Sequence, residues 1–150
     1  MAAVFSGRTA GWLHGLDLPP CDPVEVTLPM GSHTSRLAGI AVRRSHVGSR
    51  ERVTRRGYPT TSVVRTLADL GRHRPLVEAV AALDMALHMR LLKSAALHSW
   101  ACAHPRYPGI ARLRRAIELA EPATESVMET RLRLILVTGP AEAASPGIPT

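Results

Sequence analysis

The spacing of apolar residues changes near residue 60, and this change limits the fold more than any other feature of the chain. Before it, residues 24–28 alternate apolar and polar side chains, the pattern of a half-buried strand. After it, Leu76, Val80, Leu83 and Leu87 recur at helical spacing and predict the buried side of a helix. The sequence therefore predicts a helix-rich α+β protein, with a sheet before residue 60 and helices after it.

The front third is predicted to form a small antiparallel sheet. Besides the first strand, a second alternation would place Ile40 and Val42 inward and Arg43 outward. Residues 52–56 would supply a third, polar strand. A short helix over residues 7–14, capped by the serine that precedes it, is expected ahead of these strands.

About five helices are predicted after residue 60. The first would be capped by Thr61 or Ser62 and would end at Gly71. The last begins with a capping-box pattern, in which Ser126 is the N-cap and Glu129 its partner three residues later. The buried face of this last helix is predicted from its apolar residues, which are Met128, Leu132, Ile135 and Leu136.

Positive charge is concentrated between residues 36 and 56. The whole chain has 19 basic and 12 acidic residues, a net charge of +7. This segment holds seven arginines and one glutamate, whereas residues 121–150 hold four glutamates and two arginines. Because clustered arginine suits phosphate groups, double-stranded DNA is the expected partner; a solvated charged surface without a ligand is the alternative. The candidate DNA-binding residues are Arg36, Arg43, Arg44, Arg50, Arg52, Arg55 and Arg56.

Several other kinds of site are not expected. Cys21 and Cys102 are far apart and form no CxxC motif, so neither a disulfide framework nor a zinc knuckle is predicted. The histidines show no convincing metal-ligand spacing. Glu78 and Asp84 interrupt the best apolar stretch, so we predict no membrane span and a cytoplasmic location.

Four strings taken together resemble a known family. They are WLHGLDLPP at 12–20, VEVTLP at 24–29, YPTTSVVRTLADL at 58–70 and LVEAVAALDMAL at 76–87. In this order they resemble the middle region of AbiEi-type antitoxins of type IV toxin–antitoxin systems. A further string, GIARLRRAIELAEPATESVMETRLRLIL at 109–136, is similar to the junction with a C-terminal domain like the very-short-patch-repair (Vsr) endonucleases.

The resemblance implies four segments, with both ends of the family pattern truncated. Residues 1–18 would be the remnant of a winged-helix segment, and residues 19–120 an AbiEi-like middle α+β domain. Residues 121–137 would be the first helix of an incomplete restriction-endonuclease-like domain, and residues 138–150 a disordered tail.

Arg65 has two structural interpretations. It could pair with Asp69 at i, i+4 spacing along one helix. It could instead tie that helix to the sheet, which we favour because the RTLADL string resembles a recurring element of the family.

Glu129 is the single candidate catalytic residue that the resemblance supplies. In PD-(D/E)XK nucleases a carboxylate on the first helix joins others on core strands to hold a divalent metal, and a full-length relative would use Mg²⁺. Beyond Glu129 this chain has one acidic residue, Glu142, and a lone carboxylate does not fix a hard cation. We therefore expect no metal, cofactor or catalysis in this chain, and favour the capping role for Glu129.

Three functional hypotheses follow. The first, which we prefer, is a DNA-associated antitoxin or regulator module. The second is the front half of a Vsr-like DNA endonuclease whose catalytic core is missing from this chain. The third is a non-functional remnant of a disrupted gene. A toxin or the missing nuclease half would be the protein partner.

Overall fold

The computed structural model describes residues 2–18, 23–33, 38–123 and 126–143. The chain forms two compact units, Met1–Thr66 and Leu67–Thr150, which we name the sheet unit and the helical unit. The predicted α+β class and helical majority are confirmed. The four segments implied by the resemblance remain a prediction.

The sheet unit contains one five-stranded sheet. Its strands are β1 (Val4–Phe5), β2 (Val24–Leu28), β3 (Ile40–Arg44), β4 (Arg52–Arg55) and β5 (Tyr58–Thr61). Their spatial order is β3-β2-β1-β5-β4, so β3 and β4 are the two edge strands. The strands predicted at residues 24–28 and 52–56 are confirmed, and β1 was not predicted because two residues carry no detectable alternation.

The sheet is mixed, so the prediction of an antiparallel sheet is wrong for two of its four pairs. β2 and β3 are parallel, with Val24 opposite Ile40 and Leu28 opposite Arg44, and β1 and β5 are also parallel. The pairs β1–β2 and β4–β5 are antiparallel. Alternation shows only that one face of a strand is buried. The direction of pairing depends on the connection, and residues 29–39 are long enough to return the chain for a parallel pair.

The prediction that Ile40 points inward is also wrong. Its side chain is 37% exposed, while Val42 and Arg43 are both half-buried. The reason is the position of β3 at the edge of the sheet, where less of the strand is covered.

The predicted front helix is confirmed as α1 (Gly7–Leu13), which contacts β2. Ser6 occupies its N-cap position, but the Ser6 hydroxyl accepts a hydrogen bond from Thr27 Oγ1 and not from a helix amide. The Glu25 carboxylate on β2 caps the helix instead, because it accepts a hydrogen bond from the backbone amide of Arg8 at 2.7 Å. The start of α1 is therefore fixed to the sheet.

β4 and β5 form a hairpin with a two-residue turn at Arg56-Gly57. The φ angles of these residues are 51° and 82°, and Arg55 lies opposite Tyr58 in the ladder. Positive φ at both central residues is the signature of a type I′ turn, whose twist matches that of the flanking strands. The turn therefore holds Arg55 and Arg56 at the tip of a regular hairpin.

The five helices predicted after residue 60 are all present. They are α2 (Val63–His73), α3 (Leu76–His88), α4 (Ser94–Ala103), α5 (Ile110–Leu119) and α6 (Val127–Thr138). α3 supplies much of the core of the helical unit, since Val80 and Leu83 are fully buried as its spacing predicted. Among the described residues, no helix has the length and apolarity needed to cross a bilayer.

Gly71 does not end α2, which continues to His73. A Cβ at Gly71 would overlap Leu113 Cδ1, so the glycine permits close packing of α2 against α5. The glycine was interpreted as a C-cap because the same residue type serves both purposes.

The predicted buried face of α6 is wrong. Met128, Leu132, Ile135 and Leu136 are all exposed, Leu136 by 86%, whereas Thr130 and Leu134 are buried. Asp84 of α3 explains this orientation. Its buried carboxylate accepts hydrogen bonds from Thr130 Oγ1 at 2.6 Å, from Arg133 Nη2 at 3.0 Å and from the amide of Glu121 at 2.6 Å. Thr130 and Arg133 lie on the side of α6 opposite the apolar residues, and Glu121 precedes the helix.

A further short helix follows α6. Pro140–Ala143 forms a one-turn helix, α7, where the sequence predicted a disordered tail. Its Glu142 pairs with Arg115 of α5, with Arg115 Nε 2.6 Å from Oε1. Residues 144–150 of the predicted tail lie outside the described residues.

Candidate nucleic-acid interface

The predicted arginine cluster is divided between the two edges of the sheet. Arg43 and Arg44 lie on β3, while Arg52 and Arg55 lie on β4 at the opposite edge. Four strand spacings separate β3 from β4, roughly 19 Å measured along the sheet. Arg36, also predicted for this cluster, lies outside the described residues. The seven predicted residues therefore do not form one patch.

Four arginines follow the β4 edge, and we name them the hairpin arginines: Arg50, Arg52, Arg55 and Arg56. Arg50 lies in the 3₁₀ turn Ser49–Glu51 immediately before β4. Arg50, Arg55 and Arg56 are exposed, and Arg52 is half-buried. Within the described part of the chain, none of the four is paired with a carboxylate. Their positive charge is therefore not neutralised by the fold.

Two of the hairpin arginines contact α1. Arg55 Nε donates to His14 Nδ1 at 3.2 Å, and the Arg56 guanidinium lies over the Trp12 ring, 4.4 Å from its centroid. These contacts position the hairpin tip but do not neutralise its positive charge, because the His14 ring and the Trp12 ring are both neutral. Sequence reasoning missed this role of Trp12 and His14, because nothing local links α1 to a hairpin 40 residues later.

His14 is held in its neutral form. Its Nε2 lies 2.7 Å from the carbonyl oxygen of Thr61. Because Arg55 Nε can only donate, Nδ1 must accept and the ring proton must be on Nε2. Burial lowers the pKa of His14 from its ordinary value of 6.5, the hydrogen bond to Thr61 raises it, and the nearby charge of Arg55 lowers it further.

Arg65 ties α2 to the segment before β4, as favoured from the sequence. Its guanidinium donates to the carbonyl of His46 at 2.8 Å, to Ser45 Oγ at 2.9 Å and to Glu51 Oε1 at 3.2 Å. Glu51 also accepts the amide of Gly48. The one acidic residue among the hairpin arginines is thus engaged by Arg65, which leaves the exposed edge positive. Asp69 pairs with Arg72, and the alternative pairing of Arg65 with Asp69 stays a prediction.

A cavity of about 200 Å³ opens beside Arg52, and we name it the strand-end pocket. Its walls are residues 27–30, which end β2, residues 45–47, which follow β3, and Arg52. Of its lining residues, Thr27 and Val47 are buried, whereas Met30 and His46 are exposed, and we call these two the rim. No sequence pattern indicated this cavity, because it needs two segments that are brought together by a parallel strand pair.

Glu129 lies in the first turn of α6, where its amide donates to Ser126 Oγ at 3.1 Å. Ser126 is thus confirmed as the N-cap of this helix. In the described ranges, no three His, Cys, Asp or Glu side chains are grouped so that they could hold a metal ion. The role of Glu129 as a nuclease carboxylate stays a prediction.

Comparison with known proteins bears on the fold. No protein-family model matches the chain, and no curated protein matches it significantly. Among solved structures, the chain is similar to the crystal structure of the RV2827C protein from Mycobacterium tuberculosis, with a TM-score of 0.59 and 17% identity. The match covers 88% of this chain and 51% of that one, so the chain spans about half the length of that protein. At this identity the likeness shows a shared fold.

Proposed function

We propose that this chain binds double-stranded DNA through the hairpin arginines. One observation carries the proposal: a type I′ hairpin and the turn before it place four arginines along a sheet edge, and none of the four has a carboxylate partner among the described residues. Elsewhere in the described chain, arginines such as Arg8 and Arg74 are paired with glutamates. A cationic edge of this kind attracts phosphates and releases their counterions on binding.

The surroundings of the hairpin favour duplex over single-stranded DNA. A two-stranded β-ribbon fits the major groove of B-DNA. Single-strand binding generally uses aromatic rings that stack on bases. The exposed aromatic residues here are engaged differently, because Arg56 lies over Trp12 and Phe5 packs edge-on against Tyr58 with centroids 5.6 Å apart.

The test measures duplex binding by fluorescence anisotropy over a range of salt concentrations. The variant combines Arg50→Ala, Arg55→Ala and Arg56→Asn, the asparagine being chosen because it tolerates the positive φ of that position. If each lost arginine contacts one phosphate, the slope of log K against log salt should fall by about 0.9 per residue. The wild type should bind at low salt with micromolar affinity or better.

The matched control removes three exposed arginines from the helical unit, Arg106, Arg114 and Arg131. It changes the net charge equally, so it should retain the wild-type slope if binding is local to the hairpin. Absence of a wild-type complex at micromolar protein and low salt would contradict DNA binding altogether. Equal loss in the control would contradict the assignment to the hairpin.

We further propose, from the family resemblance, that the module acts as an AbiEi-like antitoxin or regulator without catalysis of its own, in the cytoplasm. The front half of a Vsr-like endonuclease is the second candidate, and the exposed apolar residues of α6 favour it, since they offer a surface for a further layer of structure. Reading all frames of the downstream DNA distinguishes the two. Strands bearing Asp and Glu after residue 137 would support the nuclease, and stop codons without them would refute it.

A further inference from the structure

The strand-end pocket lies where two parallel strands end side by side. Leu28, the last residue of β2, is opposite Arg44, the last residue of β3, and the segments after them form the pocket walls. In open α/β sheets, ligands bind outside the carboxyl ends of parallel strands. The pocket has this position in a mixed sheet.

The lining combines apolar surface with one cation. Leu28, Pro29, Met30 and Val47 supply apolar groups, and no carboxylate side chain is among the lining residues. Arg52 supplies the charge. One of its nitrogens donates to the carbonyl of Ala2 at 2.8 Å, and the guanidinium has further N–H groups that can donate to a ligand. Such a lining suits an anion that carries an apolar body.

The wall formed by residues 45–47 is fixed from behind. Arg65, which is fully buried, holds both the Ser45 hydroxyl and the His46 carbonyl. Val47 is itself buried. The pocket is therefore bounded on this side by a segment that is anchored in the core, as a preformed binding site requires.

Size limits the ligand. Pockets for drug-sized molecules have volumes of about 300–1,000 Å³, and this cavity, at about 200 Å³, is smaller. It accommodates a single nucleobase, with the attached sugar and phosphate at the mouth of the cavity, and not a dinucleotide.

We propose that the strand-end pocket binds one unpaired nucleotide of a DNA strand, with the base against the apolar wall and the phosphate on Arg52. The inference rests on the proposed DNA binding, because Arg52 belongs both to the pocket and to the hairpin arginines. A strand held along β4 would thus pass the pocket mouth. A terminal or extruded nucleotide enters most easily, since it carries the lowest cost of unstacking.

The first experiment titrates the ¹⁵N-labelled chain with dAMP, deoxyadenosine and inorganic phosphate. With dAMP we expect amide shifts at residues 27, 28, 30 and 45–47, since Pro29 has no amide hydrogen, and weaker shifts with deoxyadenosine or inorganic phosphate alone. Arg52→Met keeps the aliphatic stem and should weaken dAMP binding about tenfold, the size of one charge-assisted hydrogen bond. Arg114→Met, an exposed arginine of the helical unit, should leave dAMP affinity unchanged.

A rim variant guards against misfolding of Arg52→Met. Met30 is 70% exposed, so Met30→Glu should fold normally and weaken dAMP binding by charge repulsion. Met89→Glu, an exposed methionine of the helical unit, is its control and should bind dAMP as the wild type does. Unchanged spectra at millimolar dAMP would overturn the proposal that the strand-end pocket binds a nucleotide. Normal dAMP binding by both Arg52→Met and Met30→Glu would overturn it as well.

The second experiment uses duplexes with 2-aminopurine either in a one-nucleotide overhang or fully paired. Preference for the overhang, with a fluorescence change that Met30→Glu abolishes, would support a nucleotide of the strand in the pocket. Duplex binding without this preference would overturn the pocket and leave the proposed function standing. Binding of dAMP without any duplex binding would overturn the strand form and identify a free-nucleotide site.

Discussion

Arg65 in the sheet unit and Asp84 in the helical unit are both buried, with relative exposures of 1%, yet they fix their surroundings in different ways. Arg65 is a long cation that reaches from α2 to the segment before β4. Two of its acceptors, the His46 carbonyl and the Ser45 hydroxyl, are neutral. Its aliphatic stem is buried together with the guanidinium.

Asp84 is a short carboxylate on which donors from other segments converge. The hydroxyl of Thr130 and the guanidinium of Arg133 approach it from α6, and the amide of Glu121 precedes that helix. Arg133 is 25% exposed, so water can replace the carboxylate as its partner. The difference indicates that the sheet unit depends more on its buried charge than the helical unit does.

Arg65→Ala should have the largest effect. It removes the stem, and it leaves the acceptors of residues 45–51 and the Glu51 carboxylate without their donor. Glu51 is 20% exposed and regains some water, but the loss of the fully buried arginine stem also leaves a cavity, so we expect a loss of about 3–5 kcal/mol of unfolding free energy. The chain has two tryptophans, and Trp12 reports on the sheet unit. Urea unfolding followed by Trp12 fluorescence, in a Trp100→Phe background, measures the loss.

Arg114→Ala provides the control, because this exposed arginine should change stability by less than about 0.5 kcal/mol. A loss of similar size for Arg65→Ala would show that water replaces the guanidinium freely. The buried cation would then be no more important than a surface residue, and the contrast with Asp84 would disappear.

The sheet unit shows which features local sequence can predict. The boundaries of β2 follow from alternation and from the proline that ends it, signals that act over a few positions. α1 begins after Ser6 as predicted, but a distant residue, Glu25, accepts its first amide. The direction of the β2–β3 pair and the separation of Arg43 from Arg52 do not follow from local signals, because both depend on strand order. Residues nine apart in the chain lie at opposite edges of the sheet, and no pattern within the segment records that.

Asp84→Ala should have the second largest effect. The substitution removes an acceptor from three donors, but Arg133 regains water, so we expect a loss of about 2–3 kcal/mol, as for a hydrogen bond to a charged group. Trp100 fluorescence in a Trp12→Phe background reports on the helical unit. Leu132→Ala, on the exposed side of α6, should cost less than about 0.5 kcal/mol. If Leu132→Ala were the more damaging change, the apolar side of α6 would be the packed one.

α6 shows why the buried face of a helix cannot always be predicted from its apolar residues. Periodicity identifies the most apolar side, and burial usually follows it. Here the neighbouring helix presents a buried carboxylate, which must be hydrogen-bonded, so the side bearing Thr130 and Arg133 turns inward. Asp84 entered the sequence argument only as an interruption of an apolar stretch. Its partners lie 46 and 49 positions later, beyond the reach of any local pattern.

His14 makes the stability of the sheet unit depend on pH. Burial lowers its pKa below 6.5, so between its folded pKa and 6.5 the unfolded chain binds more protons than the folded one. The contribution of neutral His14 to the free energy of unfolding should therefore be fully present above pH 6.5 and should be lost as the pH drops from 6.5 to the pKa of His14 in the folded chain. Protonation of Nδ1 would also eject Arg55, which donates to it. We expect a smaller loss than for either substitution above.

The pH dependence is checked by repeating Trp12-detected unfolding between pH 7.5 and 5 with His14→Gln, in which glutamine can still bond Thr61 and Arg55. In this variant the free energy of unfolding should change less steeply with pH than in the wild type, since glutamine does not titrate. His98→Gln, an exposed histidine of the helical unit, should keep the wild-type slope. The same slope in all three proteins would mean that His14 binds its proton equally well in the folded and unfolded chain. In that case the contact between His14 and Arg55 would not hold the hairpin tip, and the arginines there would be positioned by the type I′ turn and the Trp12 contact alone.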